Sequence, residues 1–342
     1  MTYLKRAEKD GRKFLNPVPT TTGGFGTVFK ALPKVWKNTA ETSPRMPIGP
    51  FFTDPSVYAT PPAGGLRVTW FGHSGLLLEI DGVRILIDPI WEQRASPMQW
   101  MGPNRFWAPT MHLDDMPRLD AVLISHDHYD HLGARTVRKL AGLPATAGAK
   151  WITSLGVARR LRGMGVPKRN ITELDWTQSV EVAGADPGSS LKITSFPARH
   201  FSGRGILDRY STLWASFVLE GPRHRVYFGA DTGWWEGFSE IAAQYDRFDL
   251  TLLEIGAFDS LWSGIHLGPD NAVRAFDAMG AAARAGLLMP IHWGLFSLGL
   301  HAWRQPIERL ELIARDNSIR LWSPQPGLPT EVDGPLFNDW WR

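Results

Sequence analysis

The sequence predicts a layered α/β fold in which two mixed β-sheets are flanked by helices on their outer faces. Short apolar runs that stop at Gly, Asp, Ser or His are typical of buried strands. Segments with helical spacing alternate with these runs along the chain. Strands with helices between them favour the order helix, sheet, sheet, helix. The 342 residues, 43% of them hydrophobic, can fill the core of one such domain.

The individual elements follow from this pattern. Strands are predicted at residues 66–71, 75–80, 83–87, 121–125, 193–196, 213–219, 225–228, 250–255 and 287–291. Helices are predicted at residues 135–141, 155–164, 236–245, 269–279 and 306–315. Asp81-Gly82 between the second and third strands is a hairpin signal, so the first sheet should begin antiparallel. The domain is expected to span residues 61–342.

The strongest functional signal directly follows the apolar run at 121–125. It is the string His126-Asp127-His128-Tyr129-Asp130-His131. So many titratable groups at the end of a buried strand would be costly without a partner, because burial disfavours unpaired polar groups. Imidazole nitrogens and carboxylate oxygens are ligands of Zn²⁺ and similar cations, so the string predicts a metal site.

Three further polar residues stand where apolar runs end. They are His200, Asp231 and His292. The seven candidate ligands divide into two sets, with His126, His128 and His200 on one ion and Asp130, His131 and His292 on the other. Asp231 is predicted to be shared, since a carboxylate can span two cations about 3.5–4 Å apart. Two divalent ions are expected, with Zn²⁺ favoured and Mn²⁺ or Fe²⁺ as alternatives.

These ligands, together with several longer motifs, resemble the metallo-β-lactamase fold. The motifs are Thr-Trp-Phe-Gly-His-Ser at 69–74, Leu-Ile-Asp-Pro-Ile at 86–90, Arg-Ala-Ser-Pro at 94–97, Met-Gly-Pro-Asn-Arg-Phe at 101–106, Phe-Gly-Ala-Asp-Thr-Gly at 228–233 and Ile-His-Trp-Gly at 291–294. Those at 94–106 and 291–294 resemble the branch of phospholipases D that hydrolyse N-acylphosphatidylethanolamine. The likeness extends from about Phe14 to Trp322. It implies an αββα sandwich and phosphodiester hydrolysis.

The resemblance also suggests residues that surround the ligands. Ile265, where members of this branch carry Gln, and Trp293 are expected to contact substrate. Glu254, where they carry Pro, would add a carboxylate near the mouth of the pocket. His73 and Asp88 are expected to orient the ligands, because a ligating imidazole usually donates its other N–H to a neighbouring acceptor.

Hydrolysis would use water activated by the two cations, with no protein nucleophile. Asp130 is predicted to act in catalysis as well as in metal binding, and His266 to serve as general acid or phosphate clamp. The favoured reaction is cleavage of an N-acylphosphatidylethanolamine to phosphatidate and an amide-bearing alcohol. The alternatives are a soluble metal-dependent lactonase or small-ester or phosphoester hydrolase, and a module in which the metal is only structural.

The first 60 residues differ from the rest, being rich in Pro and Gly with no sustained period. They are expected to form an extended segment wrapped on the core. Within residues 1–37, eight Lys or Arg face two acidic residues, interleaved with Phe25, Phe29 and Trp36. This segment is either a solvated basic tail or a peripheral contact with an anionic membrane. Nucleic acid is not expected, because the basic bias is confined to one end.

Composition limits the remaining possibilities. The chain has no Cys, which excludes disulfides and thiolate ligands. The notable abundance of Trp, sixteen residues, indicates an aromatic core whose rim could line an acyl groove. No apolar stretch reaches the length of a membrane span, and the basic N-terminus lacks a signal-peptide pattern. Cytoplasmic residence is therefore expected, with peripheral contact at the inner membrane face left open as the alternative to a solvated basic tail. The oligomeric state is left open, with a dimer among the alternatives.

Overall fold

Two large mixed sheets form the centre of the protein in a computed structural model that describes residues 2–22, 38–205 and 207–342. The strands are Lys9–Asp10 (β1), Lys13–Phe14 (β2), Leu66–Gly72 (β3), Gly75–Ile80 (β4), Val83–Ile87 (β5), Ala121–Ile124 (β6), Lys150–Ser154 (β7), Ile171–Leu174 (β8), Ser179–Ala183 (β9), Ser190–Phe196 (β10), Ser216–Glu220 (β11), Arg225–Phe228 (β12), Leu250–Glu254 (β13), Leu287–Ile291 (β14), Trp322–Ser323 (β15), Thr330–Glu331 (β16) and Leu336–Phe337 (β17). The α-helices are Ala134–Ala141 (α1), Ala158–Gly163 (α2), Gly237–Ala242 (α3), Gly268–Ala278 (α4), Gly280–Arg284 (α5) and Gln305–Asp316 (α6). Short 3-10 helices occupy Pro55–Ala59, Leu113–Asp115, Pro144–Thr146 and Lys168–Asn170.

Each large sheet has an antiparallel part and a parallel part. The seven-stranded sheet has the order β16-β3-β4-β5-β6-β7-β8, and the six-stranded sheet β14-β13-β12-β11-β10-β9. Strands β5 to β8 are parallel in the first sheet, as are β12 to β14 in the second. Because parallel strands end at the same edge, each sheet gathers the loops after its parallel strands along one side.

Successive side chains of a strand point to opposite faces of its sheet, so each large sheet packs against a layer on either side. Leu76 and Leu78 of β4 point into the core between the sheets, whereas Leu77 points to the core beneath α1 and α2. Val273 of α4 and Leu310 of α6 join the core of the six-stranded sheet. The predicted αββα architecture of two mixed sheets flanked by helices is thus confirmed.

Strands β7 to β9 lie outside the predicted set. Strands β8 and β9 stand at the outer edges of their sheets and carry half-exposed polar residues, so neither produces a continuous apolar run. Several predicted elements are shorter in the structure. The strand predicted at 213–219 begins at Ser216, and the helix predicted at 155–164 covers only Ala158–Gly163. Between β4 and β5, Asp81 and Gly82 both have positive φ, as a tight Asp-Gly turn requires.

The described part of the N-terminal segment lies against the core. Phe14 is buried, and the amide of Asn16 makes two hydrogen bonds to the backbone of His200. Phe25, Phe29 and Trp36, on which the predicted membrane contact rests, fall outside the described residues. Within the described residues, no helix is both long and apolar enough to cross a membrane.

Candidate metal centre

The candidate site lies where strands of both sheets end. His73 follows β3, Asp88 follows β5, and the His-rich string follows β6 in the seven-stranded sheet. His200, Asp231 and His292 follow β10, β12 and β14 of the other sheet. Four non-glycine residues at these strand ends have positive φ, a conformation that is uncommon and concentrated at functional sites. They are His73, Asp88, Ala230 and His292.

A first cluster combines three imidazoles. His126 Nε2 lies 2.8 Å from His128 Nδ1, and His200 Nε2 lies 3.3 Å from the same atom. Asp231 Oδ2 stands 3.8 Å from His126 Nε2 and 3.6 Å from His200 Nε2. Nitrogen atoms this close repel each other through their lone pairs unless a proton or a cation lies between them. The arrangement fits one divalent ion.

A second cluster lies on the other side of Asp231. Asp130 Oδ2 is 3.0 Å from His73 Nε2, 3.7 Å from His131 Nε2 and 3.4 Å from His292 Nε2. Asp231 reaches this group too, with Oδ1 3.2 Å from His131 Nε2 and Oδ2 3.1 Å from His292 Nε2. His73, expected only to orient ligands, therefore presents a ring nitrogen to this cluster directly.

The donor atoms of the second cluster fit a cation better than they fit one another. His131 Nε2, His292 Nε2 and Asp231 Oδ1 are buried and have no hydrogen-bond partner with acceptable geometry among the described residues. Leaving such atoms unpaired is costly. Nitrogen and carboxylate oxygen are also the donor types that Zn²⁺ binds. Both clusters thus suit divalent ions, and Asp231 belongs to both.

The opposite ring nitrogens are held by acceptors that orient the candidate ligands. Asp88 Oδ2 lies 2.8 Å from His131 Nδ1, and the same carboxylate accepts hydrogen bonds from the backbone and hydroxyl of Ser125. The Nδ1–H of His200 donates to the carbonyl of Ile265 over 2.9 Å. These contacts leave Nε2 of both imidazoles free to bind a metal.

Electrostatics of the centre also favours cations. Burial lowers the pKa of His126 and His200 well below the ordinary value, so both rings are neutral near pH 7 and offer lone pairs. Burial alone would lower the pKa of His292 as well, but facing carboxylates, chiefly Asp231, raise it to about 10. Despite burial, the facing imidazoles hold the pKa of Asp130 and Asp231 well below the ordinary range. The carboxylates of Asp130 and Asp231 thus remain ionised and need positive charge beside them.

Glu254 lies behind the site. Its side chain is fully buried at the end of β13, so it does not stand near the pocket mouth as expected from the sequence. One oxygen, Oε1, accepts the N–H of Thr232 at 2.6 Å, and the other, Oε2, lies 2.6 Å from His266 Nδ1. His266 in turn forms a third group of donor atoms with Asp231 and His292. His266 therefore lies at the candidate metal centre, and Glu254 holds its imidazole in place.

The two predicted substrate contacts are buried. Trp293 is 3% exposed and stacks on Trp70 and Trp340 at centroid distances of 5.5 and 5.3 Å. Its indole is thus part of an aromatic core and offers almost no surface to a substrate, which corrects the expectation from the sequence. The side chain of Ile265 is also buried, and its contact with the site is the carbonyl that orients His200.

Sequence reasoning missed residues that join the ligand loops. Asp127, fully buried within the His-rich string, accepts the N–H of Gly203 at 2.8 Å. Arg204 donates to the carbonyls of Asp127 and Leu132 and packs over the ring of Tyr129. The loop after β6 is thereby tied to the loop that carries His200. In the sequence, only the position of Asp127 between two candidate ligands indicates a role at the site. Its partners Gly203 and Arg204 lie in a segment remote from it in the chain, so the link between the two loops could not be predicted.

An αββα sandwich whose strand ends carry clusters of His and Asp donor atoms is characteristic of metal-dependent hydrolases. Residues 83–293 match the family model of the beta-lactamase superfamily domain, and the chain belongs to that family. An uncharacterized protein of Mycobacterium tuberculosis is 45% identical over 90% of this chain and 80% of its own length. The N-acyl-phosphatidylethanolamine-hydrolyzing phospholipase D 1 of Caenorhabditis elegans is 35% identical over 69% of this chain and 65% of its own length.

Solved structures agree on the fold. A metallo hydrolase from the archaeon Ignicoccus hospitalis matches with a TM-score of 0.54 at 23% identity, covering 78% of this chain and 97% of that one. The resemblance predicted from the sequence, to the superfamily and to its phospholipase D branch, is confirmed by these relatives.

Proposed function

We propose that this protein is a dinuclear metal-dependent phosphodiesterase that hydrolyses phospholipids of the N-acylphosphatidylethanolamine kind. The observation that carries the dinuclear part is the position of Asp231, whose two oxygens face both donor clusters. The lipid substrate is supported by the relative from Caenorhabditis elegans, which is named for this reaction. The family to which the chain belongs is compatible with both the dinuclear centre and the lipid substrate.

His126, His128 and His200 would hold one ion, Asp130, His131 and His292 the other, and Asp231 both. When bound, two such ions lower the pKa of water and neutralise charge on a phosphodiester. Asp130 faces three imidazoles through one oxygen, which holds that carboxylate within the second donor cluster. The remaining protein groups then need only to position the substrate and supply a proton.

His266 is the candidate proton donor for the leaving alkoxide. Glu254 accepts the Nδ1–H of His266 and so fixes the imidazole in the group of donor residues that it forms with Asp231 and His292, while Nε2 is left for other partners. Glu254 itself is fixed by the N–H of Thr232, so the orientation of His266 does not depend on bound substrate. A proton held at Nε2 can pass to an oxygen expelled at the metal centre, which is the task of a general acid.

The test is hydrolysis of an N-acylphosphatidylethanolamine in water labelled with heavy oxygen. Attack on phosphorus places the label in phosphatidate and releases unlabelled N-acylethanolamine. Simple phosphodiesters and lactones are assayed in parallel, with a chelator-treated sample as control. Turnover of lactones or small esters without turnover of any phosphodiester would replace this proposal with the soluble hydrolase alternative.

A further inference from the structure

An open cleft lies beside the His-rich loop, outside the metal centre. It has a volume of about 680 Å³ and is bordered by α1, α2, a loop that contributes residues 96, 97 and 99, and a second loop that contributes residues 204, 205 and 208. Tyr129, between two candidate metal ligands, forms part of its wall. Among the described residues that line it there is no candidate metal ligand, so the cleft is a separate feature that adjoins the site.

The walls of the cleft are strongly basic. Five arginines line it, against the carboxylates of Glu92 and Asp208. Two of the arginines are engaged within the protein, since Arg160 pairs with Asp127 and Asp208, and Arg204 binds backbone carbonyls.

The other three arginines are Arg135, Arg138 and Arg159. They are exposed, and among the described residues none has a carboxylate within ion-pair distance. The carboxylate of Glu92 is already occupied, because it accepts the backbone N–H groups of Arg135 and Thr136 at the start of α1. Three guanidinium groups are therefore free to bind an external anion, and their planar donors suit phosphate.

The two loops that border the cleft, which form its rims, carry exposed apolar side chains close in sequence to the lining residues. Trp100 is 74% exposed and Leu207 fully exposed, and Met98 and Met101 are also open to solvent. Four of the nine large apolar side chains exposed among the described residues thus lie on two loops that border one cleft. Isolated exposed apolar residues need no explanation, but a group around a basic cleft does.

From this combination we infer that the cleft and its rims dock on an anionic phospholipid surface. The arginines bind lipid phosphates, while Trp100, Leu207 and the two methionines enter the interface, where aromatic and apolar side chains are favoured. An anionic surface is inferred because its negative charge complements the free arginines of the cleft. Apolar rims alone would not require anionic lipid. The docked face places the loop of Tyr129 toward the membrane. This inference stands independently of the hydrolytic reaction.

The test is sedimentation of the full chain with phosphatidylcholine vesicles that do or do not contain phosphatidic acid. We expect binding only with phosphatidic acid, weakening as salt rises. Replacing two arginines, Arg138→Ala with Arg159→Ala, should lower partitioning roughly thirtyfold, at about 1 kcal/mol for each basic residue near the surface. The pair Trp100→Ser with Leu207→Ser should also lower partitioning.

The matched control is Leu312→Ser with Arg315→Ala, an exposed apolar and basic pair on α6 at the opposite outer layer. It should bind vesicles like the unmodified chain. All variants retain residues 1–37, so a loss of binding cannot be assigned to the basic tail. Equal binding by the control and both cleft pairs would overturn the inference. So would binding of inorganic phosphate, lost in the arginine pair, without any vesicle partitioning.

Discussion

Asp231 is the residue on which both parts of the metal centre depend. Its oxygens lie 3.1–3.8 Å from imidazoles of both clusters, and the carboxylate is buried. A neutral side chain of the same shape would keep the packing but remove the charge that offsets two cations. Replacing Asp231 with such a side chain therefore tests whether it is a ligand shared by two ions or only a buried carboxylate.

Asp231→Asn should therefore bind fewer than two ions and lose more activity than the roughly 10- to 100-fold typical of residues that support ligands. Metal analysis of the purified variant and its turnover number are the measurements. Asp120→Asn, which changes a buried carboxylate at the opposite end of β6, is the control and should keep its metals. Two ions and full activity in Asp231→Asn would refute the assignment.

Glu254 accepts two hydrogen bonds with its two oxygens, from Thr232 and from His266. Glu254→Gln has only one acceptor oxygen, so one of these N–H groups would face the amide NH₂. His266 would lose its fixed orientation, and the turnover number should fall in the same direction as in His266→Ala, for which a loss of about 10²–10⁴ is expected.

The loss in Glu254→Gln should be smaller when the leaving group is a nitrophenolate, which needs no proton to depart. A purely structural role would lower the rates for good and poor leaving groups by the same factor. Glu79→Gln, which changes a buried glutamate paired with Arg67, is the matched control and should affect stability without this pattern.

At the scale of elements, the N-terminal segment supports a ligand loop. Asn16 donates to the carbonyl of His200 over 2.8 Å and accepts its N–H over 2.9 Å. Arg199, the preceding residue, donates to the hydroxyl of Thr20 over 2.9 Å. The backbone around His200 is thus held by a segment that is remote in sequence, although His200 lies at the end of β10.

Asn16→Ala should weaken metal binding at His200 by roughly 10- to 100-fold, as expected when a group supporting a ligand is removed. Titration with a competing chelator measures this affinity. Lys13→Ala, an exposed change in the same segment, should leave it unaltered. If both variants bind metal equally well, the segment packs on the loop without supporting the ligand.

At the scale of the whole molecule, the two sheets are joined at the edge opposite the metal centre. Asp81, in the turn between β4 and β5, accepts the backbone N–H groups of Arg223 and His224 at 2.8 and 2.9 Å. The ring of His224 donates to the other oxygen over 2.7 Å. Burial would raise the pKa of Asp81, but these hydrogen bonds outweigh it and lower the pKa.

Because the folded-state pKa of Asp81 lies below the unfolded value of about 3.9, its stabilisation is complete above that pH and lost as pH falls through the folded value. Asp81→Asn should cost about 1–3 kcal/mol of unfolding free energy at neutral pH, since N–H groups lose an acceptor. The difference from the unmodified chain should shrink below about pH 4. Denaturant unfolding at several pH values measures this difference in unfolding free energy. The turnover number of Asp81→Asn should equal that of the unmodified chain. A difference that does not vary with pH would contradict this role.

The fold class and the positions of the candidate ligands can be predicted from the sequence alone. Both depend on local information, because apolar periodicity marks the strands and polar residues at their ends mark the functional edge of a sheet. His126, His200, Asp231 and His292 could be found in this way, since each stands near the end of an apolar run.

How residues from different elements meet depends on their packing in three dimensions. Glu254 reaches His266 behind the centre, Trp293 is enclosed by other tryptophans, and Asn16 supports His200. The basic cleft likewise requires two helices and two loops to come together. Burial and pairing of this kind depend on contacts between residues that are distant in the chain. The local sequence pattern does not predict these contacts, because many packings satisfy the same periodicity.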